Sequence, residues 1–210
     1  MRVLAIDCAT EVCSAALFDD LQLVDGACEI IGRGHAERLV PMIAELPNKG
    51  RAQRIVVSLG PGSFTGVRIG LAAARALGLA WGAEVLGYPT LHLVAARGQR
   101  QEAKPVTVCM NGGHGEYFIQ NFSADGSAQD AVRSLPPAEA AKAAKHAAIV
   151  GSKATDLADL VGNGAKAHHL LPDAREASLL NRAHLTAQLA PIYGRGPDAK
   201  LPQARKPATR

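Results

Sequence analysis

Seven residues, Gly60-Pro61-Gly62-Ser63-Phe64-Thr65-Gly66, constrain what this chain can fold into more than any other stretch. They follow Arg54–Leu59, an apolar run of strand length. They precede Val67–Trp81, where Val67, Leu71, Ala74 and Trp81 recur at helical spacing. A strand and a helix joined by so short a glycine-rich loop belong to an α/β layer. The other helix positions are nearly all small (Gly70, Ala72, Ala73, Ala76, Gly78, Ala80), so the helix can approach a neighbour closely. The loop itself has two readings. Free amides at a helix start can hold an anion, although the Walker lysine is absent and the spacing is not that of a dinucleotide fingerprint. Alternatively the loop is a tight turn that lets Val67–Trp81 pack closely.

Upstream, Arg2–Ile6 reads as a buried strand with Asp7 at its carboxyl end, followed by strands over Cys13–Phe18 and Leu21–Glu29 around an Asp19-Asp20 turn. His35–Leu46 changes to helical period and stops at Pro47 and Gly50. After Trp81, Glu84–Leu86 is a short strand, and Pro89-Thr90 opens a helix with Thr90 as cap. The order β-β-β-α-β-α-β predicts a mixed sheet covered by helices and resembles the ribonuclease-H-like module of actin and sugar kinases. Polar Gln99–Lys104 marks a junction. The second half holds strands at Pro105–Met110 and Glu116–Phe122 around the loop Asn111-Gly112-Gly113, an Ala-rich helix over Pro137–Ala147, a short strand at Ala148–Gly151 and a helix at Arg182–Leu189. The expected division is a subdomain over 1–98, a smaller one over 105–190, and a tail over 191–210 that Pro191, Pro197, Pro202 and Pro207 keep irregular. No internal sequence repeat is visible.

Charge is unevenly placed. The net charge of +4 lies wholly in Ile192–Arg210, where Arg195, Lys200, Arg205, Lys206 and Arg210 face only Asp198, and the remainder is neutral. The body therefore has no electrostatic claim on nucleic acid; the tail could touch RNA or an acidic partner. Cys8, Cys13, Cys28 and Cys109 form no C-x-x-C pair, and no two histidines have zinc-helix spacing, so neither a metal site nor disulfides are expected. The first acid arrives at Asp7, too early for a signal peptide, and no apolar run would span a membrane. A cytoplasmic location is expected.

Asp7 and Thr10 are the candidates for binding a nucleotide with its metal, since a strand-end carboxylate beside a turn suits that task. Glu11, however, puts negative charge where phosphate would sit, and Ala9 and Val12 stand where glycines would let a backbone approach. Bracing of the hairpin by Asp7 and Thr10 is the competing reading. His35, at a helix start, and His114, in a glycine-rich loop, are lone histidines without a catalytic partner in sequence.

Several stretches carry a resemblance to a known family. Leu4-Ala5-Ile6-Asp7-x-Ala9-Thr10-Glu11 with Cys13-Ser14, His35 with Leu39, Pro41 and Met42, the run Gly60–Gly70, and Pro191-x-Tyr193-x-Arg195 with Asp198-Ala199 all resemble bacterial TsaB (YeaZ) proteins. The match is close over residues 1–92 and 191–200 and loose between. One segment departs: where that family often has Asp-Ala-Arg before Gly-Glu, this chain has Asn111-Gly112-Gly113-His114 before Gly115-Glu116. The resemblance implies two actin-like subdomains, the second reduced. It also implies a non-catalytic role in making threonylcarbamoyladenosine on tRNA, with TsaD and TsaE as partners, a homodimer when TsaD is absent, and tRNA met only through the complex. It implies no firmly bound cofactor, with ATP or ADP at an interface shared with TsaD as the alternative. The partner surface would be formed by the first two helices, through His35, Leu39, Met42, Ile43, Gly66, Val67, Gly70, Ala73, Ala74 and Leu77. An ATP-dependent kinase or carbamoyltransferase using Asp7 and Thr10, and a peptidase, are the competing classes.

Overall fold

A computed structural model of the chain describes residues 1–100, 102–162 and 164–194. The first sheet contains β1 (Arg2–Asp7), β2 (Val12–Asp19), β3 (Gln22–Ile30), β4 (Arg54–Ser58) and β5 (Glu84–Tyr88), in spatial order β3-β2-β1-β4-β5. The three leading strands form an antiparallel meander, and β4 and β5 add in parallel on the other side of β1. Val12 to Phe18 of β2 are all buried, because helical or irregular chain covers both faces of the sheet. Helices α1 (His35–Glu45) and α2 (Phe64–Trp81) cover one face, closing a core of Leu4, Ile6, Leu17, Leu39, Met42, Ile55, Val57 and Leu71. On the other face α3 (Thr90–Gly98) and a 3-10 segment, Ala174–Leu179, pack on Ala5, Ala16, Phe18, Val56 and Tyr88.

The second sheet repeats this plan. Strands β6 (Val106–Gly113), β7 (Glu116–Phe122), β8 (Arg133–Leu135), β9 (Ala148–Val150) and β10 (Lys166–His168) lie in the order β10-β9-β6-β7-β8. Helix α4 (Pro137–Ala143) joins β8 to β9, and α5 (Ala154–Val161) joins β9 to β10. Each half is thus a β-β-β-α-β-α-β unit, so an internal repeat exists at the level of topology. The α/β expectation of two actin-like subdomains with mixed sheets and a reduced second one is met: β8, β9 and β10 have three residues each. Among the described residues no helix is long and apolar enough to cross a membrane.

Several sequence expectations require correction. The segment 105–190 is not one unit, because its end returns to the first sheet: the Ala174 amide donates to Ser14 Oγ, and Thr186 and Gly87 exchange backbone hydrogen bonds. That pairing also explains why Arg182–Leu189 is not a helix; only Arg182–His184 makes a 3-10 turn before the chain extends along β5. Helix α4 stops at Ala143 rather than Ala147. There the Lys145 and His146 amides turn away to donate to Asn121 Oδ1 and Thr107 Oγ1, and this buried pair outweighs alanine propensity. Thr90 is not a cap but the first helical residue, its hydroxyl 2.6 Å from that of Ser58. Asn111–Gly113 belongs to β6, and the turn is His114-Gly115. Sequence reading also missed β8, α5, β10 and Ala174–Leu179. Residues 195–210 of the expected tail lie outside the described residues.

Candidate functional site

The two sheets present their leading hairpins to each other across a cleft of about 940 Å³. One wall is the β1–β2 turn (Ala9, Thr10, Glu11) with Gly62, Ser63, Phe64 and Arg68; the other is Met110 to His114 with Phe118 and Ser152. Tyr193 and Gly32 complete the lining.

Asp7 does not face this cleft. It is fully buried, with Oδ1 accepting the Ala9 amide at 2.9 Å and Oδ2 accepting the Tyr88 hydroxyl at 2.9 Å. Burial pushes its carboxyl up to about 6 despite the hydrogen bonds from Ala9, Tyr88 and Ser58, which favour the charged form. Thr10 lines the cleft, but its hydroxyl oxygen accepts the Val12 amide at 3.2 Å and so closes a local turn. Both residues brace the hairpin. His35 is buried, with Nε2 3.2 Å from the Val12 carbonyl, tying α1 to β2. His114 lines the cleft from a left-handed position, and Asn111 Oδ1 accepts the Gly113 amide beside it. The Cys8 and Cys13 sulfurs lie 3.9 Å apart in the core. Among the described residues no three His, Cys, Asp or Glu side chains converge as metal ligands do.

The geometry decides between the two readings of the glycine loop. The Ser63 amide donates to the Ala9 carbonyl at 2.6 Å, and Ser63 Oγ accepts the Gly66 amide at 3.2 Å as the N-cap of α2. A Cβ at Gly62 would overlap the Ala9 carbonyl oxygen, and one at Gly66 would overlap that of Cys8. The loop is therefore a clamp on the β1–β2 turn, with those amides already used, and α2 starts three residues earlier than its apolar periodicity suggests.

The predicted interface residues are divided by this packing. His35, Leu39, Met42, Ile43, Gly66, Val67, Gly70 and Ala74 are buried inside the chain, and Ala73 and Leu77 are half-buried beside the core, so the inner faces of α1 and α2 cannot form a free surface. The outer faces expose Ala36, Val40 and Ala44 on α1, and Ala72, Ala76, Leu79 and Ala80 on α2. A second group that sequence reading did not assign is Phe64, Arg68 and Tyr193. The rings lie 5.6 Å apart, the Arg68 guanidinium stands 3.5 Å over Phe64, and Arg68 donates to the Tyr193 hydroxyl at 2.9 Å. Tyr193 is far from the other two in sequence, so no spacing signal joins them.

Comparison with known proteins adds to this geometry. Residues 28–168 match the family model described as TsaD, tRNA N6-adenosine threonylcarbamoyltransferase. A protein of Escherichia coli K12 named tRNA threonylcarbamoyladenosine biosynthesis protein TsaB is 39% identical over 133 residues. That match covers 60% of this chain and spans only 56% of the relative's length. An uncharacterized protein of Mycobacterium tuberculosis H37Rv is 30% identical over 207 residues, covering 94% of this chain and 93% of its own. The solved structure described as YeaZ from Pseudomonas aeruginosa superposes with a TM-score of 0.78 at 27% identity, covering 91% of this chain and 99% of that one.

Proposed function

Because the chain belongs to the TsaB (YeaZ) family, we propose that it is a non-catalytic subunit in the synthesis of threonylcarbamoyladenosine on tRNA. On this reading it binds TsaD, acts together with TsaE, and pairs with a second copy of itself when TsaD is absent. The observation that carries the proposal is the outer face of α1 and α2. Val40 and Leu79 are 58% and 88% exposed, and alanines one turn apart flank them on both helices. An apolar, small-residue face on two adjacent helices suits close packing against helices of a partner. The buried, hydrogen-bonded carboxylate of Asp7 argues for a subunit that does not itself transfer a group. A kinase or carbamoyltransferase would need that carboxylate in the cleft. Nucleotide, on this reading, is held at the interface shared with TsaD rather than by Asp7 and Thr10.

The test is to mix the purified chain with TsaD and measure mass by light scattering, with and without nucleotide. A complex is expected, and replacing both Ala76 and Leu79 by Arg should abolish it while leaving the thermal midpoint of the free chain unchanged. Two independent peaks under all nucleotide conditions would overturn the proposal.

A further inference from the structure

Five lysines or arginines among the described residues are half-buried. Four of them meet a carboxylate: Arg38 with Glu29 at 2.6 Å, Arg54 with Glu84 at 2.6 Å, Arg97 with Glu176 at 3.2 Å and Lys153 with Asp156 at 2.6 Å. The fifth, Arg2, meets none, and its guanidinium makes no hydrogen bond among the described residues. Strand alternation explains the difference. Leu4 and Ile6 face the core under α1 and α2, so Arg2 lies on that face. Arg54 and Glu84 immediately precede Ile55 and Val85, which pack in the same core, so both lie on the opposite face and pair there. Arg2 instead lines a cavity of about 650 Å³ at the amino end of β1, the far end of that strand from the cleft. Asn48, Arg51, Gln53 and Trp81 share the lining, and no carboxylate does. Gln53 fixes Arg2 in place: its amide donates to the Arg2 carbonyl at 3.1 Å, and its Oε1 accepts the Arg2 amide at 2.7 Å. The Arg51 amide donates to the Asn48 carbonyl at 3.1 Å, closing the turn that carries both side chains. Arg51, like Arg2, has no carboxylate partner among the described residues.

We propose that this pocket binds a small phosphate monoester that carries a planar ring. Two guanidiniums without a counter-charge suit a dianion. A phosphate monoester approaches that charge near neutral pH, whereas a carboxylate brings a single one. Guanidinium forks also match phosphate oxygens two at a time. The side-chain amides of Asn48 and Gln53 add donors to the same lining. Trp81 is half-buried against the core, so a firmly held ring lines the pocket for the ligand's ring to pack on. A concave site of this size, with a few convergent polar groups, is what small molecules occupy. The site is independent of the partner-subunit reading, because its binding is measured on the free chain and its residues lie away from the outer faces of α1 and the cleft.

Trp81 is the single tryptophan of the chain, so its fluorescence reports on this pocket. The experiment follows that emission while the full chain is titrated with AMP. A saturable change with a Kd below about 1 mM is expected. Adenosine, which lacks the phosphate, should bind at least about tenfold more weakly, and inorganic phosphate should compete with AMP. Arg2→Gln and Arg51→Gln should each weaken AMP binding roughly tenfold, the loss expected for one charged hydrogen bond. Lys166→Gln removes one exposed charge from β10 of the second sheet and should stay within about twofold of the parent. Circular dichroism melts check the fold of each variant. Arg51 is exposed, so its variant keeps the test decisive even if Arg2→Gln loosens the end of β1. No saturable change, equal affinity for adenosine, or binding that ignores the loss of both arginines would overturn the proposal. So would benzoate binding as tightly as AMP, which would mark a carboxylate site. A single-stranded RNA about 12 nucleotides long that binds more tightly than AMP, with the same dependence on Arg2 and Arg51, would overturn it too and mark a site for a nucleic-acid backbone.

Discussion

Asp7→Asn should stabilise this protein at neutral pH and leave it unchanged in acid. Asp7 is fully buried, and burial raises its carboxyl from 3.8 to about 6. A carboxyl whose folded value lies above its unfolded value binds more protons in the folded state. Its contribution to stability is therefore fully present below 3.8 and is lost as pH rises through about 6. The difference amounts to about 3 kcal/mol once the group is charged in both states. Asparagine keeps the shape and the acceptor for the Ala9 amide. Its amide can donate to the Tyr88 oxygen, while the Tyr88 hydroxyl turns to the Ile6 carbonyl, already 3.3 Å away. Urea unfolding of parent and variant should thus show the variant more stable by about 3 kcal/mol at pH 8, with the gap closing below pH 4. In a thermal melt the gain at pH 8 corresponds to about 6–12 °C for a chain of this size. A difference that does not vary with pH would refute the reasoning, as would a variant less stable at pH 8. Either would mean that the carboxylate is charged and fully compensated in the folded protein. The same variant separates a brace from a nucleotide–metal ligand, because a ligand replaced by Asn would lose magnesium-dependent ATP binding and gain no such stability.

Two further substitutions test the packing argued above. Gly66→Ala should destabilise by about 3 kcal/mol or more, because the new methyl meets the Cys8 carbonyl rather than a side chain that can move; calorimetry would show it, and a loss under about 1 kcal/mol would contradict the clamp. Gly70→Ala should be neutral or stabilising by up to about 1 kcal/mol, since its methyl would sit 3.5 Å from Val57 and the residue lies in mid-helix. In the second half, Asn121→Ala should cost at least about 3 kcal/mol in urea unfolding. It removes hydrogen bonds to Thr107, Asp130, Ala143 and Lys145 at a fully buried site, and a cost under about 1 kcal/mol would show that the site rearranges freely.

The first half of the fold is legible in the sequence because its strands are long, apolar and separated by strong turn residues. The meander of β1 to β3, the helix after it and the β4–loop–α2 unit all follow from local pattern. The second half is not, and the reason is physical. Strands of three residues, such as β8 at Arg133–Leu135 and β10 at Lys166–His168, are too short for alternation to register, and β10 is exposed throughout. They are strands because β7 and β9 hold them by backbone hydrogen bonds. The return of Ala174–Ile192 to the first sheet is likewise set by partners distant in sequence: Ser14, Gly87 and Leu59.

The burial of the expected interface residues inside the chain was hidden for a different reason. Helical periodicity says which residues share a face but not what covers it. On α2 small residues occupy two stripes, Gly66, Gly70, Ala74 and Gly78 on one, Ala72, Ala76 and Ala80 on the other. Close-packing logic applies equally to both, and the sequence offers no way to choose. The structure chooses through its own sheet: Gly70 lies over Val57, Cys8 and Ile6, and Gly78 over Val85, so the glycine stripe is used inside the chain. The alanine stripe is then the exposed one, and glycine and alanine differ in the expected direction. Gly66 and Gly78 stand where a Cβ would run into the Cys8 carbonyl oxygen and the Val85 side chain. Alanine, which costs a helix least, stands where only a partner could press. Small residues on the outer stripe are therefore not needed to fold this chain, and Ala76→Arg should leave its stability within about 0.5 kcal/mol of the parent. A larger loss would place that stripe in the core instead and remove the geometric basis for a docking face.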